Sequence, residues 1–461
     1  MIAERPSRKT FRIRLDEMVS EIRNDIISGR RQIGDFLPSE RTLGEMFRLS
    51  NKSVRAGLDI LVQEGLIEKI PKVGNRVKGL PDDKAIPVRF GYYTTLVGEA
   101  DMANLISSFH KEYPHIRVTP IPIASGDSVQ HYLEAGLLDV CTLNYNDFRL
   151  LADNGGLDLL EGLPENPDIY GYLTTAFTRG GQVLVQPFVF SPVVLCYNRQ
   201  HFRERRIHEP DSSWTWDHLQ RVATELAVPN VRLGFYFYAG SNNRWPVFLL
   251  QSGMSLPGSD EARNVSVCGS PWMDGLALCK RLITSQRIYQ VFDSEADAEE
   301  LFAQGKTSII MTTYFRLNEL KKADIDYDIA PLPHFRNPKT LLHAIGLSLN
   351  VKSKQKDAAR QFIDFLLSFR SQLLIRQRTL SIPSLIQAAE WTGKEIMRRP
   401  SRFHLYREIV PTFCWYTDLG MSLFTMQSVL REAKLYWAGL ETEESVCRKI
   451  EQIVNARNAA V

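Results

Sequence analysis

The chain has 461 residues, of which 44% are hydrophobic and 24% charged, a balance typical of a globular protein of two or three domains. Its most apolar stretch, residues 183–195, is interrupted by two prolines and is too short to cross a bilayer. The basic N-terminus lacks the apolar segment of a secretory signal. These features argue against an integral membrane protein and predict a cytoplasmic one.

Charge and cysteine usage add two expectations. Residues 1–80 carry 16 Lys and Arg against 11 Asp and Glu, whereas the remainder carries 40 against 42. We therefore expect only the first segment to meet a polyanion. The cysteines form no CxxC pair, which favours buried, unpaired thiols in a reducing compartment. They are Cys141, Cys196, Cys268, Cys279, Cys414 and Cys447.

Three helices are predicted near the N-terminus. Apolar residues at helical spacing indicate a first helix over roughly 12–28. Ser39 is a good N-cap for a short second helix, and Ser50 is a good N-cap for a third. The third helix is predicted to stop at Gly65, because glycine tolerates the left-handed conformation that ends many helices.

A hairpin follows, and the whole segment carries the pattern of a DNA-binding family. Residues 66–70 alternate like a strand, and 76–78 return after a turn. The run LPSERTLGEMFRLSNKSVRAGLDILVQEGLI (37–67) resembles the winged helix-turn-helix of GntR-type transcriptional regulators at nearly every fixed position. Gly57 replaces the alanine that the family prefers, which costs the third helix about 1 kcal/mol and predicts a softened helix. The turn reads KVGN instead of GKGT.

The resemblance makes the third helix the recognition helix. Such a helix presents its N-terminal residues to base edges in the major groove, and its first free N–H groups favour phosphate. Arg41 and Arg55 each suit a guanine edge or a phosphate, and Asn51 suits an adenine edge. The predicted DNA contacts, with two residues of the wing, are Arg41, Ser50, Asn51, Lys52, Ser53, Arg55, Lys72 and Asn75.

After a linker at 81–87, strands alternate with helices. Residues 88–93, 115–123 and 136–144 are predicted strands, and 102–114 is a predicted amphipathic helix. This alternation indicates parallel strands with crossover helices, which is an α/β fold.

Four fragments in this part resemble bacterial extracellular solute-binding proteins of the sugar-binding, maltose-binding-protein-like class. They are FHKEYPHIRV (109–118), LCYN with WTWDHL (195–198 and 214–219), LFAQGKTSII (301–310), and APLP with AARQFIDFL and IP (330–333, 358–366 and 382–383). The resemblance implies a winged helix (1–80) fused to a two-lobed, type II periplasmic-binding-protein-like α/β domain (88–461). Its implied lobes are about 88–190 with 345–380, and about 193–340 with 383–461.

Such a domain binds its ligand between the lobes, at loops that follow strands. By resemblance the chain crosses between lobes near 190–192 and returns near 343–346. A sugar requires aromatic faces for its C–H surface and amide groups for its hydroxyls. The predicted effector contacts are Tyr93, Thr94, Thr95, Asn144, Asn146, Ser191, Asn242, Trp245, Tyr314, His343, Trp415 and Tyr416. Core packing stays an open alternative for Trp245, His343 and Trp415.

The sequence therefore predicts a transcriptional regulator with three partners: an operator in double-stranded DNA, a small-molecule effector, expected to be a sugar or oligosaccharide, and a second copy of the chain. No metal-ligand spacing, phosphate loop or nucleophile motif appears, so no cofactor, membrane partner or enzymatic activity is expected. Two alternatives stay open. One is an aminotransferase-like regulator with pyridoxal phosphate on Lys354. The other is a solute-binding module whose winged helix contacts protein.

Overall fold

The computed structural model describes residues 14–458 except 16, 17, 20, 24, 27–30, 33, 64, 72, 79–84, 125–128, 257–264, 286–293 and 295. Helical residues between 14 and 26 form α1. The helices that follow are α2 Glu40–Phe47, α3 Asn51–Gln63, α4 Leu96–Glu99, α5 Met102–Glu112, α6 Val129–Glu134, α7 Tyr145–Asp153, α8 Gly171–Ala176, α9 Arg199–Arg205, α10 Trp216–Leu226, α11 Pro246–Ser252, α12 Pro271–Ser285, α13 Ala296–Ala303, α14 Lys356–Leu367, α15 Phe369–Arg378, α16 Ile386–Ala389, α17 Leu405–Glu408, α18 Leu423–Trp437 and α19 Glu443–Asn458. Short 3-10 helices lie at Gly156–Leu159, Arg316–Leu320, Val410–Thr412 and Tyr416–Leu419. The strands are β1 Ile67–Ile70, β2 Gly74–Val77, β3 Ile86–Tyr93, β4 Ile116–Ile123, β5 Val140–Asn144, β6 Thr178–Arg179, β7 Gln182–Val183, β8 Gln186–Asn198, β9 Leu233–Tyr236, β10 Thr307–Thr313, β11 Tyr327–Ala330, β12 Thr340–Leu349, β13 Ile382–Pro383 and β14 Phe413–Cys414.

The N-terminal unit forms because apolar residues of α1, α2 and α3 meet in one small core. Val19, Leu43 and Leu58 are buried there, one from each helix. The hairpin β1–β2 closes the unit, with Ile67 opposite Val77 in antiparallel register. The prediction of three helices followed by a hairpin is confirmed.

Both predicted helix caps are present. Ser39 Oγ accepts a hydrogen bond from the Thr42 backbone N–H at 3.1 Å and starts α2. Ser50 Oγ accepts one from the Ser53 N–H at 3.3 Å at the start of α3. Between the helices, Arg48 has a φ of 52°, a left-handed conformation that turns the chain sharply. These bonds satisfy backbone N–H groups that helix starts otherwise leave open.

Gly57 has a packing role that the sequence did not reveal. It faces α1, and a Cβ at this position would lie 2.3 Å from Met18 Cε, 3.0 Å from Leu15 Cδ1 and 3.1 Å from Val19 Cγ2. The missing side chain therefore allows α1 to approach the recognition helix closely. Glycine at this position therefore permits close packing at a cost in helix propensity, and the softened helix stays a prediction.

The remaining chain is built on a sheet with the strand order β4-β3-β5-β12-β8-β10-β9; β11 and β13 also pair with β8, and β14 pairs with β12. Strand β3 pairs in parallel with β4 and with β5, which confirms the predicted crossover arrangement. Lobe 1 is formed around β3, β4 and β5, and lobe 2 around β9, β10 and β11.

Two long antiparallel strands join the lobes. Strand β8 pairs with β12 from Gln186 to Pro192 and then with β10 from Val193 to Tyr197, so it passes from lobe 1 into lobe 2. Ser191 lies opposite His343 on β12, where the chain returns. All of β8 is buried, which explains its nearly continuous apolar sequence. The predicted crossing and return are confirmed.

Several boundaries differ from the predicted ones. Strand β3 begins at Ile86, inside the predicted linker. Helix α5 ends at Glu112, two residues early, and β5 begins only at Val140. Leu138, which reads as part of that strand, is buried in the irregular segment before it, so apolar content alone misplaces the strand's start.

The expectation of six unpaired cysteines is wrong for two of them. Cys268 and Cys447 form a disulfide that joins the segment before α12 to α19, while the other four cysteines are buried thiols. The pair is separated by 179 residues, so sequence spacing gives no sign of it. The same segment is held by Glu451, whose Oε2 accepts the Val267 N–H at 2.8 Å.

Two separate hydrophobic cores serve the two units. One continuous core runs through both lobes, and the winged helix has a small core of its own. Across the described ranges, no helix combines the length and apolarity that crossing a bilayer requires.

Candidate DNA-binding face and effector cleft

The start of α3 presents an exposed polar surface. Asn51, Lys52 and Arg55 are exposed on its first turns, and Ser50 is exposed just before them. The Ser50 backbone oxygen accepts the Ser53 and Val54 N–H groups, which begins the helix without a bulky side chain in front of it. Such an end can approach a polyanion closely.

Two exposed arginines lie beside this surface, and each forms a weak ion pair. Arg55 Nε lies 2.6 Å from Glu40 Oε2, and Arg41 Nε lies 3.1 Å from Glu45 Oε1. The side chains of Arg55 and Arg41 are 64% and 87% exposed. Exposed pairs of this kind contribute only roughly 0–1 kcal/mol, so either arginine can exchange its carboxylate for a phosphate at little cost.

Two predicted DNA contacts, Ser53 and Asn75, do not lie on this surface. Ser53 is buried, and its hydroxyl lies 2.6 Å from Ser50 Oγ. Asn75 is buried within the wing, where its backbone oxygen accepts the Leu37 N–H at 2.9 Å. Lys72 lies outside the described residues. In this structure Ser53 and Asn75 support the local fold and do not contribute to the exposed face.

The second site is a cleft of about 380 Å³ between the lobes. Its lobe 1 wall comes from the carboxyl ends of β3, β4 and β5, and its lobe 2 wall comes from the end of β10 and a neighbouring loop. Parallel strands place their carboxyl ends at one edge of a sheet, where α/β proteins commonly bind ligands. The cleft volume lies in the lower part of the range of about 300–1,000 Å³ for small-molecule sites.

Half of the predicted effector contacts line this cleft. They are Tyr93, Thr94, Thr95, Asn144, Asn146 and His343. Thr94 and Thr95 are exposed, and Asn144, Asn146 and His343 are partly buried. The structure therefore brings together hydroxyl groups at the end of β3, amide groups at the end of β5 and the imidazole of His343 on β12.

A buried carboxylate orders the lobe 1 wall. Tyr93 donates its hydroxyl hydrogen bond to Asp147 Oδ2 at 2.5 Å, and Asn144 Nδ2 donates to the same oxygen at 2.9 Å. Asn144 Oδ1 in turn caps α7 by accepting the Asp147 N–H at 2.8 Å. Burial, together with the Asp147 charge, raises the pKa of the Tyr93 phenol well above its ordinary value, so Tyr93 stays a neutral donor.

The lobe 2 wall is aromatic and cationic. Phe315 lines the cleft, and its backbone N–H donates to Ser191 Oγ at 2.9 Å. Arg244 and Arg316 also line this wall. Behind them lies Glu299; burial raises the pKa of its carboxyl, and the charges of Arg316 and Arg244 oppose that shift.

The other six predicted effector contacts do not line the cleft. Trp245 and Tyr314 are fully buried; Tyr314 Oη donates to the Phe403 backbone oxygen at 2.9 Å, and Trp245 packs near Trp437. Asn242 Oδ1 lies 3.4 Å from Trp245 Nε1. The remaining three are Ser191, at the crossing, and Trp415 and Tyr416, which pack behind the cleft wall.

Several cleft residues were not singled out from the sequence. They are Glu99, Ile123, Ala124, Tyr145, Asn243, Arg244, Thr313, Phe315, Arg316, Ala344 and Ile345. Many are direct neighbours of predicted residues: Asn243 follows Asn242, and Phe315 follows Tyr314. Tyr145 packs on Trp415 with ring centres 4.2 Å apart, so Trp415 supports the wall from behind.

The described residues do not form the kind of site that metal or pyridoxal chemistry requires. In the described part of the chain, no group of three or more His, Cys, Asp or Glu side chains is placed to hold a metal ion. Lys354, the lysine considered for a Schiff base, is exposed just before α14. A Schiff-base lysine requires a pocket that encloses the cofactor.

Fold and cleft together define a two-lobed solute-binding domain preceded by a winged helix. Residues 90–372 match the family model for bacterial extracellular solute-binding proteins, and residues 15–77 match the model for bacterial regulatory proteins of the gntR family. The first match covers more than half of the chain, so the protein belongs to the bacterial extracellular solute-binding protein family. Its N-terminal unit is a winged helix of the gntR type. Neither model describes a catalytic family.

Solved structures share the two-lobed fold. An ABC substrate-binding protein from Listeria monocytogenes, in complex with cycloalternan, is 20% identical with a TM-score of 0.66, covering 81% of this chain and 98% of that chain. The maltotriose binding protein of Thermus thermophilus, bound with maltotriose, is 20% identical with a TM-score of 0.65, covering 81% and 99%. The GacH receptor of Streptomyces glaucescens, studied with acarbose, is 16% identical with a TM-score of 0.70, covering 81% and 99%. A search of curated proteins gave no match.

Proposed function

We propose that this protein is a DNA-binding transcriptional regulator whose operator affinity is set by a saccharide bound between the two lobes. The observation that carries the proposal is the presence, in one chain, of an exposed recognition-helix start and an interlobe cleft lined by hydroxyl, amide and aromatic groups. The saccharides bound by structural neighbours support the choice of effector class.

The proposed DNA contacts follow from exposure. Ser50, Asn51 and Lys52 meet the major groove at the start of α3, and Arg55 and Arg41 contact bases or phosphates beside it. A single winged helix offers a small interface, so we propose that a homodimer binds a two-fold symmetric operator. We propose that it acts on DNA in the cytoplasm.

The proposed saccharide contacts come from both walls of the cleft. Thr94, Asn144 and Asn146 meet hydroxyl groups from lobe 1, and His343 meets them from the crossing strand. Phe315 supplies an aromatic surface from lobe 2. Ligand binding favours closure of the lobes only if the closed form binds the ligand more tightly than the open form.

Strand β4 offers a route from the cleft to the recognition helix. Its last residue, Ile123, lines the cleft. Near its start, Arg117 packs on the turn that ends α3, where a Cβ on Gly65 would lie 2.5 Å from Arg117 Nη2. A cation at a helix C-terminus is favoured by the helix dipole. We propose that lobe closure shifts this contact, which lies roughly 20 Å from the cleft along the strand residues from Arg117 to Ile123.

The proposed domain boundaries follow the same division. Residues 1–80 form the DNA-binding unit, a linker ends before Ile86, and the rest forms the effector domain. The proposed lobes are about 88–190 with 345–380, and about 193–340 with 383–461.

Separate binding assays test the two halves of the proposal. We expect the full-length protein to select a two-fold symmetric sequence from a random DNA pool, with an affinity that falls steeply as salt rises. We expect a saccharide from a panel of mono- and oligosaccharides to raise its melting temperature, because a ligand that binds only the native state stabilises it. Failure to select any DNA sequence would contradict the regulator. If amino acids or polyamines raise the melting temperature and no saccharide does, the proposal of a saccharide effector is wrong.

A further inference from the structure

The disulfide between Cys268 and Cys447 is the cysteine site that solutes can reach. Cys268 is exposed, and Cys447 is buried on α19. The other four cysteines are buried thiols. Burial raises the pKa of the Cys141 thiol to about 12 and that of the Cys414 thiol to about 11, so both stay protonated and unreactive. Exposed disulfides are the ones that thiols in solution reduce readily, and Cys268 offers them a target.

Hydrogen bonds hold the same two segments together beside the disulfide. Glu451 Oε2 accepts the Val267 N–H at 2.8 Å, and Asn455 Oδ1 accepts the Val265 N–H at 2.8 Å. Asn455 Nδ2 also donates to the Val265 oxygen at 3.0 Å. Because these bonds do not involve sulfur, they keep the segment before α12 on α19 after the disulfide is reduced. The two thiols then stay near each other at a high effective concentration, which allows the bond to form again.

The disulfide lies at the edge of a group of packed helices that reaches the cleft. Helix α19 packs on α18, and Trp437 Nε1 of α18 donates to the Leu276 oxygen of α12 at 3.1 Å. A Cβ on Gly275 of α12 would lie 2.5 Å from the Phe248 oxygen of α11, so these two helices are in close contact. The loop before α11 carries Asn243, which lines the cleft. A bond between α19 and the segment before α12 therefore stabilises helices that adjoin the lobe 2 wall.

Building on the proposed function, which puts the protein in a reducing cytoplasm, we propose that Cys268 and Cys447 form a reversible redox site for peroxides. The pair is a dithiol under reducing conditions. Hydrogen peroxide oxidises the Cys268 thiolate to a sulfenic acid and is itself reduced to hydroxide. The Cys447 thiol then attacks the Cys268 sulfur, forms the S–S bond and releases the sulfenic oxygen as water. Two thiols of low molecular weight reverse the reaction and leave as their own disulfide.

Oxidation of this site changes the stability of lobe 2. The bond closes a loop of 179 residues, which restricts the unfolded chain and so favours the folded one. It also adds a covalent link to the hydrogen bonds of Glu451 and Asn455. The helices next to the lobe 2 wall are therefore more firmly held when peroxide is present.

Counting thiols on the full-length protein tests the site without DNA or saccharide. The protein is equilibrated with about 10 mM reduced and about 0.1 mM oxidised glutathione, a balance like that of a cytoplasm, then quenched, unfolded and labelled with a maleimide. We expect all six cysteines to be labelled. After glutathione is removed and hydrogen peroxide is added, we expect only the four buried cysteines to be labelled. Mass spectrometry should then find Cys268 and Cys447 joined in one peptide pair.

The two forms of the unchanged chain are also compared in stability. We expect the dithiol form to melt roughly 5 °C or more below the disulfide form and to exchange amide hydrogens faster in α12 and α19. Cys268→Ala combined with Cys447→Ala should melt at the same temperature with and without peroxide. Cys414→Ala, which removes a buried thiol and keeps the pair, is the matched control and should retain both differences.

The outcomes separate this proposal from the function on which it rests. If the pair stays bonded in the glutathione buffer, also when reduced protein is the starting material, the disulfide is a permanent structural bond and the proposal is wrong. It is also wrong if peroxide leaves both thiols free, or if it oxidises the buried cysteines as readily. Equal melting temperatures of the two forms would overturn the effect on lobe 2. None of these results depends on operator selection or saccharide binding, which test the proposed regulator separately.

Discussion

The winged helix and the two-lobed domain build their surfaces in different ways. The DNA face comes from one helix start and its neighbour, so its exposed residues lie within Arg41–Arg55. The cleft draws on segments from Tyr93 to Ile345, brought together only when the chain crosses between lobes twice. A surface built from consecutive residues can be predicted from a short motif, whereas a surface built from distant segments can be predicted only when the chain topology is known.

The two surfaces also differ in how far a small error in a predicted position matters. A helix start exposes several consecutive residues, so a motif identifies them as a group. In the turns beside the cleft, consecutive side chains leave the backbone in different directions, so a prediction that is wrong by one position selects a residue outside the lining. Tyr314 is buried while Phe315 lines the cleft, and Asn242 lies outside the lining while Asn243 belongs to it.

The largest expected effect is a loss of operator affinity caused by changes on the DNA face alone. Lys52→Ala combined with Arg55→Ala removes two exposed cations from α3, and we expect operator affinity to fall about 100-fold, since a bidentate base contact contributes roughly 1–3 kcal/mol and a lost phosphate contact weakens binding further. Fluorescence anisotropy on the selected operator measures this loss. The combination of Lys111→Ala and Arg448→Ala removes the same charge elsewhere and should bind normally. Equal losses in both double variants would show that net charge, rather than docking of α3, governs binding.

The next effect concerns packing under the recognition helix. Gly57→Leu forces a side chain against Met18 and Leu15, and overpacking of this kind costs roughly 1–3 kcal/mol. We expect faster hydrogen exchange throughout α1–α3 and weaker operator binding, with an unchanged two-lobed domain. Ala56→Leu, at the exposed neighbouring position, is the matched control. If Gly57→Leu leaves exchange in α1–α3 unchanged, the close approach of α1 is not as described.

A smaller effect tests the connection between the two regions. Arg117→Ala removes the guanidinium that packs on the turn after α3. We expect affinity for operator and for saccharide, each measured alone, to stay within twofold, while the factor by which saccharide changes operator affinity falls at least threefold. Arg370→Ala, an exposed arginine elsewhere in the effector domain, should leave that factor intact. If saccharide changes operator affinity by the same factor in Arg117→Ala as in the unchanged protein, the coupling does not pass through Arg117.

The smallest expected effect is a pH dependence of stability that is specific to the two-lobed domain. Burial lowers the pKa of both His110 and His201 to about 4, aided by Arg117 and Arg232 respectively, whereas residues 1–80 contain no histidine. Because the unfolded chain takes up these protons near pH 6.5, the two-lobed domain should lose stability as pH falls from about 6.5 toward 4. Urea unfolding followed by tryptophan fluorescence reports this domain, since all seven tryptophans lie beyond residue 88. His201→Gln should flatten the pH dependence, and His131→Gln, an exposed histidine, should not.

Much of the architecture was predictable because its signals are local or periodic. Ser39 and Ser50 cap the helices as expected, and strand–helix alternation indicated the parallel pairing of β3 with β4 and β5. The disulfide between Cys268 and Cys447 and the packing of Gly57 against Met18 were hidden, because each depends on a distant partner.

The cleft was predictable only in part for the same reason. Motif spacing located the strand ends that carry Tyr93 and Asn144 and the crossing strand that carries His343, and all three residues line the cleft. It gave no reason to select Arg244 or Arg316, since a lone arginine in a loop is usually solvated. Both residues join the cleft lining only when lobe 2 folds and places them on one wall.

In the proposed regulator, one chain couples saccharide binding to operator binding. Operator affinity, measured by fluorescence anisotropy at fixed salt with and without a saturating saccharide, tests it most directly. We predict a change of at least tenfold, and by linkage the operator must change saccharide affinity by the same factor. Identical operator affinity in the presence and absence of a bound saccharide would contradict the account.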